Sequence, residues 1–251
     1  MVAAVPPRNR FVEIPQLFLG LLAIGVAVVL MAHIFAGTIR DVRHSRDTIQ
    51  VTGSAKKPIT ANLIRWTLTV SAEAQTAPPS VRRLQHESIV VRSFLRKGRV
   101  PGDAISASVV TSEKIVEHPT KTTTHTYYRA AQQLQVSTRE IDAVESVSQQ
   151  IGQLIERGIG VSANPLAYLS TELTQAKLDA LGAATQDARK RAEILVHGLG
   201  GKLGRMRASS LGVYQVTPRD STNVSDYGIS DTGSREKDVT AVVSATFAVN
   251  H

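Results

Sequence analysis

The chain has 251 residues, a formal net charge of +8 and no cysteine. The lack of cysteine excludes thiol catalysis, thiolate zinc sites and disulfide bridges. Aromatic residues make up only 4% of the chain, which argues against a base-stacking surface, so no nucleic-acid partner is expected.

The first feature along the chain is a long uncharged run near the N-terminus. Between Ile14 and Ile39 no residue carries a formal charge, and the core of the run reads LFLGLLAIGVAVVLMAHIF. About 20 apolar residues cross a bilayer as a helix, so this run predicts a transmembrane anchor with the lipid bilayer as its partner. Its predicted membrane-spanning side chains are Leu17, Phe18, Leu19, Leu21, Leu22, Ile24, Val26, Val28, Val29, Leu30, Ile34 and Phe35.

Two alternatives to an anchor fit the run less well. A buried helix of a soluble domain is seldom apolar on all sides over such a length. A cleaved signal peptide has an apolar region of about 7–15 residues followed by a small-x-small site. Here the run is longer, and Ile34-Phe35-Ala36 places a large residue where a small one is required, so an uncleaved anchor is favoured.

The charges that flank the run indicate how the predicted anchor is oriented across the membrane. Arg8 and Arg10 flank one end, and Arg40, Arg43 and Arg46 flank the other. Taken alone, the positive-inside rule slightly favours a cytoplasmic C-terminal part. The predicted organisation is a tail and anchor at 1–39, a juxtamembrane linker at 40–47 and one domain at 48–251.

The remaining elements alternate between period-two strands and helices with one apolar face. In chain order we predict strands at 49–52 and 63–74, a helix at 78–97, strands at 103–116 and 127–138, a helix at 139–157, a strand at 160–170 interrupted by Asn164-Pro165, a helix at 173–199, and strands at 205–216 and 238–249. Gly53 and Lys57-Pro58 are interpreted as breaks, 117–126 as a hairpin tip or long loop and 217–237 as a mobile loop.

The helix at 173–199 has the clearest pattern. Alanine recurs every four residues, at Ala176, Ala180, Ala184, Ala188 and Ala192. Such a lane of small side chains lets a helix lie close to a sheet. Paired strands with helices on one face predict an α+β domain with an antiparallel or mixed sheet and about three helices.

Candidate chemistry is sparse. His118 and His125 bracket the predicted hairpin tip beside Glu117, but their spacing matches no strong metal motif. His197 lies near a helix end, where it suits a structural role, and His86 lies on a helix between Arg83 and Glu87, where it is expected to be solvated. No serine sits in a G-x-S-x-G elbow. The sequence therefore predicts no catalytic residue, no metal site and no cofactor, although a spatially assembled Ser-His-Asp triad stays open.

Three stretches of the soluble part carry a family resemblance. They are Ile49-Gln50-Val51-Thr52-Gly53-Ser54-Ala55 followed by Pro58 and the 63–74 strand, Tyr127-Tyr128-Arg129-Ala130 leading to Leu134-Gln135-Val136, and Ala184 to Ala192 followed by Gly200-Gly201-Lys202-Leu203-Gly204. On these residues the chain resembles the SIMPL-domain family (DUF541). Ala55 and Ile59 depart from the family pattern, which usually has a second glycine and an acidic residue there.

The resemblance implies an α+β fold, a periplasmic location, a link to oxidative stress defence and assembly into large homo-oligomers, with no accepted catalytic residues. A periplasmic domain places the anchor in the bacterial inner membrane with its N-terminus inside, against the weak charge count. The leading hypothesis is therefore a non-enzymatic, membrane-anchored periplasmic domain that acts by homo-oligomeric assembly. The alternatives are a module that docks a membrane-protein partner or a polyanion through its basic surface, and a hydrolase built on scattered Ser, His and Asp residues.

Overall fold

Strands and helices account for most of the chain that the computed structural model describes, which is residues 20–21, 24–31, 47–120 and 123–250. The helices after residue 47 are α1 (Ala77–Lys97), α2 (Ile141–Gln149), α3 (Gly152–Glu156) and α4 (Leu173–Gly198), with a 3-10 turn at Gly102–Ala104. The strands are β1 (Thr48–Thr60), β2 (Leu63–Ala74), β3 (Ile105–Ala107), β4 (Thr111–Thr120), β5 (Thr123–Thr138), β6 (Val161–Ala163), β7 (Ala167–Leu169), β8 (Lys202–Leu211), β9 (Gln215–Pro218), β10 (Ile229–Ser230) and β11 (Glu236–Asn250).

The strands form two sheets. One has the order β3-β5-β2-β6, with β4 also paired to β5 and β7 to β2. The other has the order β1-β11-β9-β10, with β8 also paired to β11. The pairing of β9 with β11 is antiparallel and that of β9 with β10 is parallel. The predicted α+β class with an antiparallel or mixed sheet is confirmed.

The core of the first sheet follows from the period-two pattern of β2. Its predicted apolar face, Ile64, Trp66, Leu68, Val70 and Ala72, is buried as expected. α1 supplies the opposing side chains Leu84, Val91 and Leu95, which belong to the same cluster. The helix begins where Pro78 and Pro79 are tolerated in a first turn, and it ends at Gly98 after Arg96 and Lys97.

The alanine lane of α4 has the predicted role. Ala176, Ala180 and Ala184 pack on Val239 and Val243 of β11 in a second core cluster. A Cβ at Gly53 of β1 would lie 2.3 Å from the carbonyl oxygen of Ala184 and 2.3 Å from the amide nitrogen of Ala188. The backbones of β1 and α4 therefore come so close that only glycine fits at position 53.

The chain divides into two compact units. The larger comprises Thr52–Ala188 and Leu211–Val243 and contains both core clusters described above. The smaller comprises Met1–Val51, Arg189–Ser210 and Ser244–His251. In its described part, Ala192, Val196, Ala245 and Phe247 are buried.

Several predicted boundaries were wrong. β1 runs through both Gly53 and Lys57-Pro58 to Thr60, so neither is a break. The predicted helix at 139–157 is two helices, α2 and α3, separated at Gln150 and Ile151. The strand predicted at 103–116 is divided into β3 and β4, and that predicted at 205–216 into β8 and β9.

The segment predicted as a mobile loop, 217–237, contains strand ends and the short strand β10. Lys237 is only 3% exposed, and its ammonium group donates to the carbonyl oxygen of Asp231 at 2.7 Å and to its carboxylate at 2.8 Å. The Asp231 carboxylate also accepts hydrogen bonds from the amides of Gly233 and Ser234. This polar cluster ties the segment to β11.

Candidate functional site

A hairpin arm, most of whose residues are exposed, extends from the first sheet of the larger unit. We define the arm as β4 together with residues Thr123–Tyr127 of β5. The pairing of β2 with β5 ends where Ala74 opposes Tyr128, so in the arm β5 is bonded to β4 alone. At about 3.3 Å per residue, the two-stranded part extends about 16 Å beyond the pairing with β2.

The base of the arm is held by a chain of polar side chains. Arg129 donates through Nε to Glu73 at 2.8 Å and through Nη2 to the Tyr127 hydroxyl at 3.3 Å. That hydroxyl donates to Glu117 of β4 at 2.6 Å. The hydrogen bond to Glu117 raises the pKa of Tyr127 above its usual value, with burial and the charges of Glu117 and Glu73 acting in the same direction and Arg129 opposing them.

The same hydrogen-bonded side chains favour the charged form of Arg129. The hydrogen bond to Glu73 raises the pKa of Arg129, and the guanidinium also lies 5.8 Å from the centroid of the Tyr127 ring. Side chains of β2, β5 and β4 are thereby joined in one network. The direction of the arm is therefore set by cross-strand contacts at its base.

The outer edge of β4 pairs with no other strand in the part of the chain that the structure describes. Unpaired strand edges are templates for pairing with another chain. Val116 on β4 is 47% exposed, and Val109, just before the strand, is 81% exposed. The same strand carries the charged residues Glu113, Lys114 and Glu117, and Pro119, which has no backbone N–H. Such residues are typical of edge strands that avoid unspecific pairing.

A second candidate is an open polar cleft of about 640 Å³ between the β1–β2 turn and the first turns of α4. Lys57 pairs with Asp179 at 3.3 Å, and Gln175 donates to the same carboxylate at 2.8 Å. The hydrogen bond from Gln175, followed by that from Lys57, lowers the pKa of Asp179. Arg219, also on the wall, pairs with Glu236 at 2.8 Å.

These contacts limit what the cleft can do. Its two basic wall residues are each already paired with a carboxylate, and its lining residues include no histidine. The arrangement offers hydrogen-bonding groups for a polar molecule. Thr60 Oγ1, also on the wall, donates to the Glu236 carboxylate at 3.1 Å, so one hydroxyl and one carboxylate lie within hydrogen-bond distance.

The structure places His125 opposite Glu117 at the hairpin tip, whereas His118 contacts a threonine. Glu117 and His125 are cross-strand partners, but Glu117 accepts from Tyr127, and His118 Nδ1 contacts the Thr124 hydroxyl at 3.2 Å. Within the described ranges no group of three or more His, Asp or Glu side chains is arranged to hold a metal ion. His86 is exposed on α1, and His197 lies in the last turn of α4.

Half of the predicted membrane-spanning residues can be placed. The described residues 20–21 and 24–31 are helical, and six of the predicted residues lie there with 53–68% exposure: Leu21, Ile24, Val26, Val28, Val29 and Leu30. Leu17, Phe18, Leu19, Leu22, Ile34 and Phe35 lie outside the described residues. Among the residues that the structure describes, no helix has both the length and the apolar character needed to cross a bilayer.

Sequence reasoning missed the network at the base of the arm. Tyr127 and Arg129 stand two residues apart on β5, which places them on the same face of the strand. That spacing was the available signal. Their partners Glu73 and Glu117 could be assigned only from the register of two further strands.

Comparison with known proteins supports the family resemblance. A family model named SIMPL, with the description "Protein of unknown function (DUF541)", matches residues 49–247. No curated protein matches the chain. A solved structure assigned as an amidohydrolase/peptidase from Burkholderia cenocepacia is 17% identical and covers 45% of this chain and 28% of that chain. Its TM-score of 0.19 carries no argument about fold or function.

Proposed function

Because the chain belongs to the SIMPL family, whose model spans residues 49–247, we propose that it is a non-enzymatic domain that acts by homo-oligomeric assembly at a membrane. In this proposal the N-terminal run anchors the chain in the bacterial inner membrane. The C-terminal domain lies in the periplasm and serves in envelope or oxidative stress defence, as the resemblance implies.

The observation that carries the assembly proposal is the arm. It combines a strand edge that is unpaired among the described residues, the exposed side chain of Val116 and a base held by the hydrogen-bonded side chains Glu73, Arg129, Tyr127 and Glu117. A ribbon that is already held at its base loses less conformational entropy on binding a second copy than a free segment would. Ring assembly would also multiply weak surface contacts through avidity.

The support for the anchor comes from the N-terminal run. The described residues 24–31 are helical, and seven apolar side chains between Leu21 and Met31 are more than half exposed. A helix with such side chains on all sides is unfavourable in water and favourable in hydrocarbon. The run 14–39 is also long enough for a bilayer and contains no formal charge.

The first experiment is the native mass of the full chain extracted in mild detergent. We expect a discrete oligomer for the wild type and a smaller species for Val116→Asp, because a buried carboxylate opposes association. Leu178→Asp is the matched control, since Leu178 on α4 is 56% exposed and lies outside the arm. A monomeric wild type would overturn assembly, and an intact oligomer of the Val116 variant would overturn the role of the arm.

The anchor and the non-enzymatic assignment need their own measurements. We expect the chain to stay with membranes after carbonate washing, and its domain to be digested by protease added to spheroplasts. Release by carbonate would refute the anchor, and protection from protease would refute the orientation. A serine-directed activity probe is expected to leave the chain unlabelled, so labelling would refute the non-enzymatic assignment.

A further inference from the structure

The outward face of α1 is strongly basic. Arg82, His86, Ile89 and Arg96 lie on one side of the helix, at helical spacing, and all four are exposed. Arg92 flanks this row. The opposite side of α1, with Leu84, Val91 and Leu95, packs into the core of the first sheet. We call the outward row, with Arg92, Lys97 and Arg99, the basic face.

The charge of the basic face is not neutralised within the described chain. Glu87, the acidic residue of α1, is 3% exposed; it accepts from Arg83 at 2.8 Å and from the amide of Gly160 at 3.1 Å. It therefore balances Arg83, whose side chain is 58% exposed. Among the described residues, no carboxylate forms an ion pair with the five cations of the basic face, which are Arg82, Arg92, Arg96, Lys97 and Arg99. Asp103, in the turn after α1, is exposed and is likewise not ion-paired with these cations among the described residues.

A notch of about 200 Å³ lies at the centre of the basic face. Its walls are Ile89, Arg92, Arg96, Gly102 and Ile105. The side chain of Arg96 lies close to Gly102, where a Cβ would be 3.6 Å from its Cδ atom. Two arginines and two isoleucines therefore line the same notch, which suits a phosphate that carries an apolar chain.

We propose that the basic face of α1 binds the headgroups of anionic phospholipids at the bilayer surface. Arg92 and Arg96 receive a lipid phosphate, and Ile89, which is 64% exposed, lies at the headgroup boundary. The other cations of the face add long-range attraction to the negative surface. Docking of this face holds the domain against the membrane.

This inference rests on the proposed anchor, which provides proximity to lipid. Fully extended, the linker at 40–47 reaches about 28 Å, so the anchor confines the domain close to the bilayer surface. Confinement makes a weak electrostatic contact effective, because binding becomes an intramolecular event. Soluble polyanions lack this advantage, and for this reason we assign the face to lipid.

The test uses the full chain in lipid nanodiscs. The chain has no cysteine, so Gln85→Cys introduces a unique site for a polarity-sensitive fluorophore on the exposed side of α1. We expect a rise in emission in discs with about 30 mol% phosphatidylglycerol compared with phosphatidylcholine discs. About 0.5 M salt should reverse the rise, because it screens surface charge. A fluorophore at Leu178→Cys on α4 should respond to neither change.

Charge variants identify the binding residues. Removing Arg92 and Arg96 together as glutamines should lower the ratio of docked to free domain about 25-fold, at about fivefold per charge near an anionic surface. The matched control is R205Q with R207Q on β8, which removes two exposed arginines and should leave the ratio unchanged. The substituted arginines lie outside the core, so both double variants should fold as the wild type does. The emission of the buried Trp66 checks that they do.

The outcomes separate the two proposals. Failure to enter either kind of disc refutes the anchor itself. Entry with equal emission in both lipids refutes docking of the basic face while leaving the anchor intact. A response to soluble polyphosphate but not to anionic discs also overturns lipid as the ligand, and an equal effect of both arginine pairs overturns the assignment to α1.

Discussion

Replacing Gly53 by alanine tests the close approach of β1 and α4. The new Cβ would lie 2.3 Å from the Ala184 carbonyl oxygen, 2.3 Å from the Ala188 amide nitrogen and 2.7 Å from the Ala188 Cα. These are backbone atoms and cannot rotate aside. By local preference alone the substitution should stabilise the strand, because glycine in a strand interior costs about 0.5–1 kcal/mol relative to alanine.

The structure predicts the opposite sign. The distances from the new Cβ to the Ala184 oxygen and the Ala188 nitrogen are 1.1 Å shorter than the ordinary van der Waals distance of 3.4 Å. The helix α4 must therefore move away from β1. A gap of up to 1 Å forfeits a quarter to a half of each dispersion contact along the alanine lane. Overpacking of a core typically costs about 1–3 kcal/mol, and we expect about 3 kcal/mol here because the obstacle is backbone.

The measurement is urea unfolding of the full chain in mild detergent, followed by circular dichroism and by the emission of Trp66, the single tryptophan, which is 2% exposed. At a slope of about 2 kcal/mol per molar urea, the midpoint should fall by about 1.5 M. Gly182→Ala is the control: Gly182 lies within α4 with nothing within 4 Å of the new Cβ, so it should gain about 0.5–1 kcal/mol. An unchanged or raised midpoint for Gly53→Ala would refute the backbone contact.

Two further predictions concern the polar clusters of the larger unit. Lys237→Met should cost about 3 kcal/mol in urea unfolding, because it leaves the Asp231 carboxylate without its buried cation. Burial raises the pKa of Asp231, but the hydrogen bonds from Lys237 and Gly233 lower it on balance. Its contribution is therefore complete above the unfolded value of about 4 and is lost as pH falls through the lower folded pKa. The stability difference between wild type and Asp231→Asn should shrink in that acid range, and a difference independent of pH would contradict this reasoning. Tyr168→Phe should cost about 1 kcal/mol, since the hydroxyl donates to Glu145 at 2.7 Å. Burial, then the hydrogen bond and charge of Glu145, raise the pKa of Tyr168 to about 12, so its contribution is present below pH 10 and is lost as pH rises towards 12. Alkaline unfolding that began at the same pH in both proteins would count against it.

The elements with strong periodicity were predicted well. The apolar face of β2 and the alanine lane of α4 both lie where their spacing placed them, because burial of one face is a local property of strand and helix geometry. The prolines at 78 and 79 likewise marked the start of α1.

The breaks assigned inside β1 were wrong for a tertiary reason. β1 is at the end of the strand order of its sheet, and an edge strand tolerates the missing amide hydrogen of Pro58. Gly53 serves the approach of α4 and does not end the strand. Neither role can be recognised until the neighbours of β1 are known.

The segment 217–237 illustrates the same difference. Its serine, aspartate and glycine content predicted an unstructured loop, which describes its local preference correctly. The buried Lys237 with Asp231, and the ion pair of Arg235 with Asp142 at 2.6 Å, supply order from contacts that composition does not reveal.

By itself, the sequence determined the α+β class, the positions of the periodic elements, the family resemblance and the absence of thiol chemistry, since all of these depend on residue type and spacing. The tertiary structure alone decided that β4 leaves an edge unpaired among the described residues, that Glu73 and Glu117 meet the Arg129–Tyr127 pair, and that Arg82, Arg92 and Arg96 of α1, unlike Arg83, have no carboxylate partner there. These features depend on strand register and on contacts between residues far apart in the chain. Such contacts arise only when the whole core is packed, because the same side chains satisfy their local preferences equally well in many other arrangements.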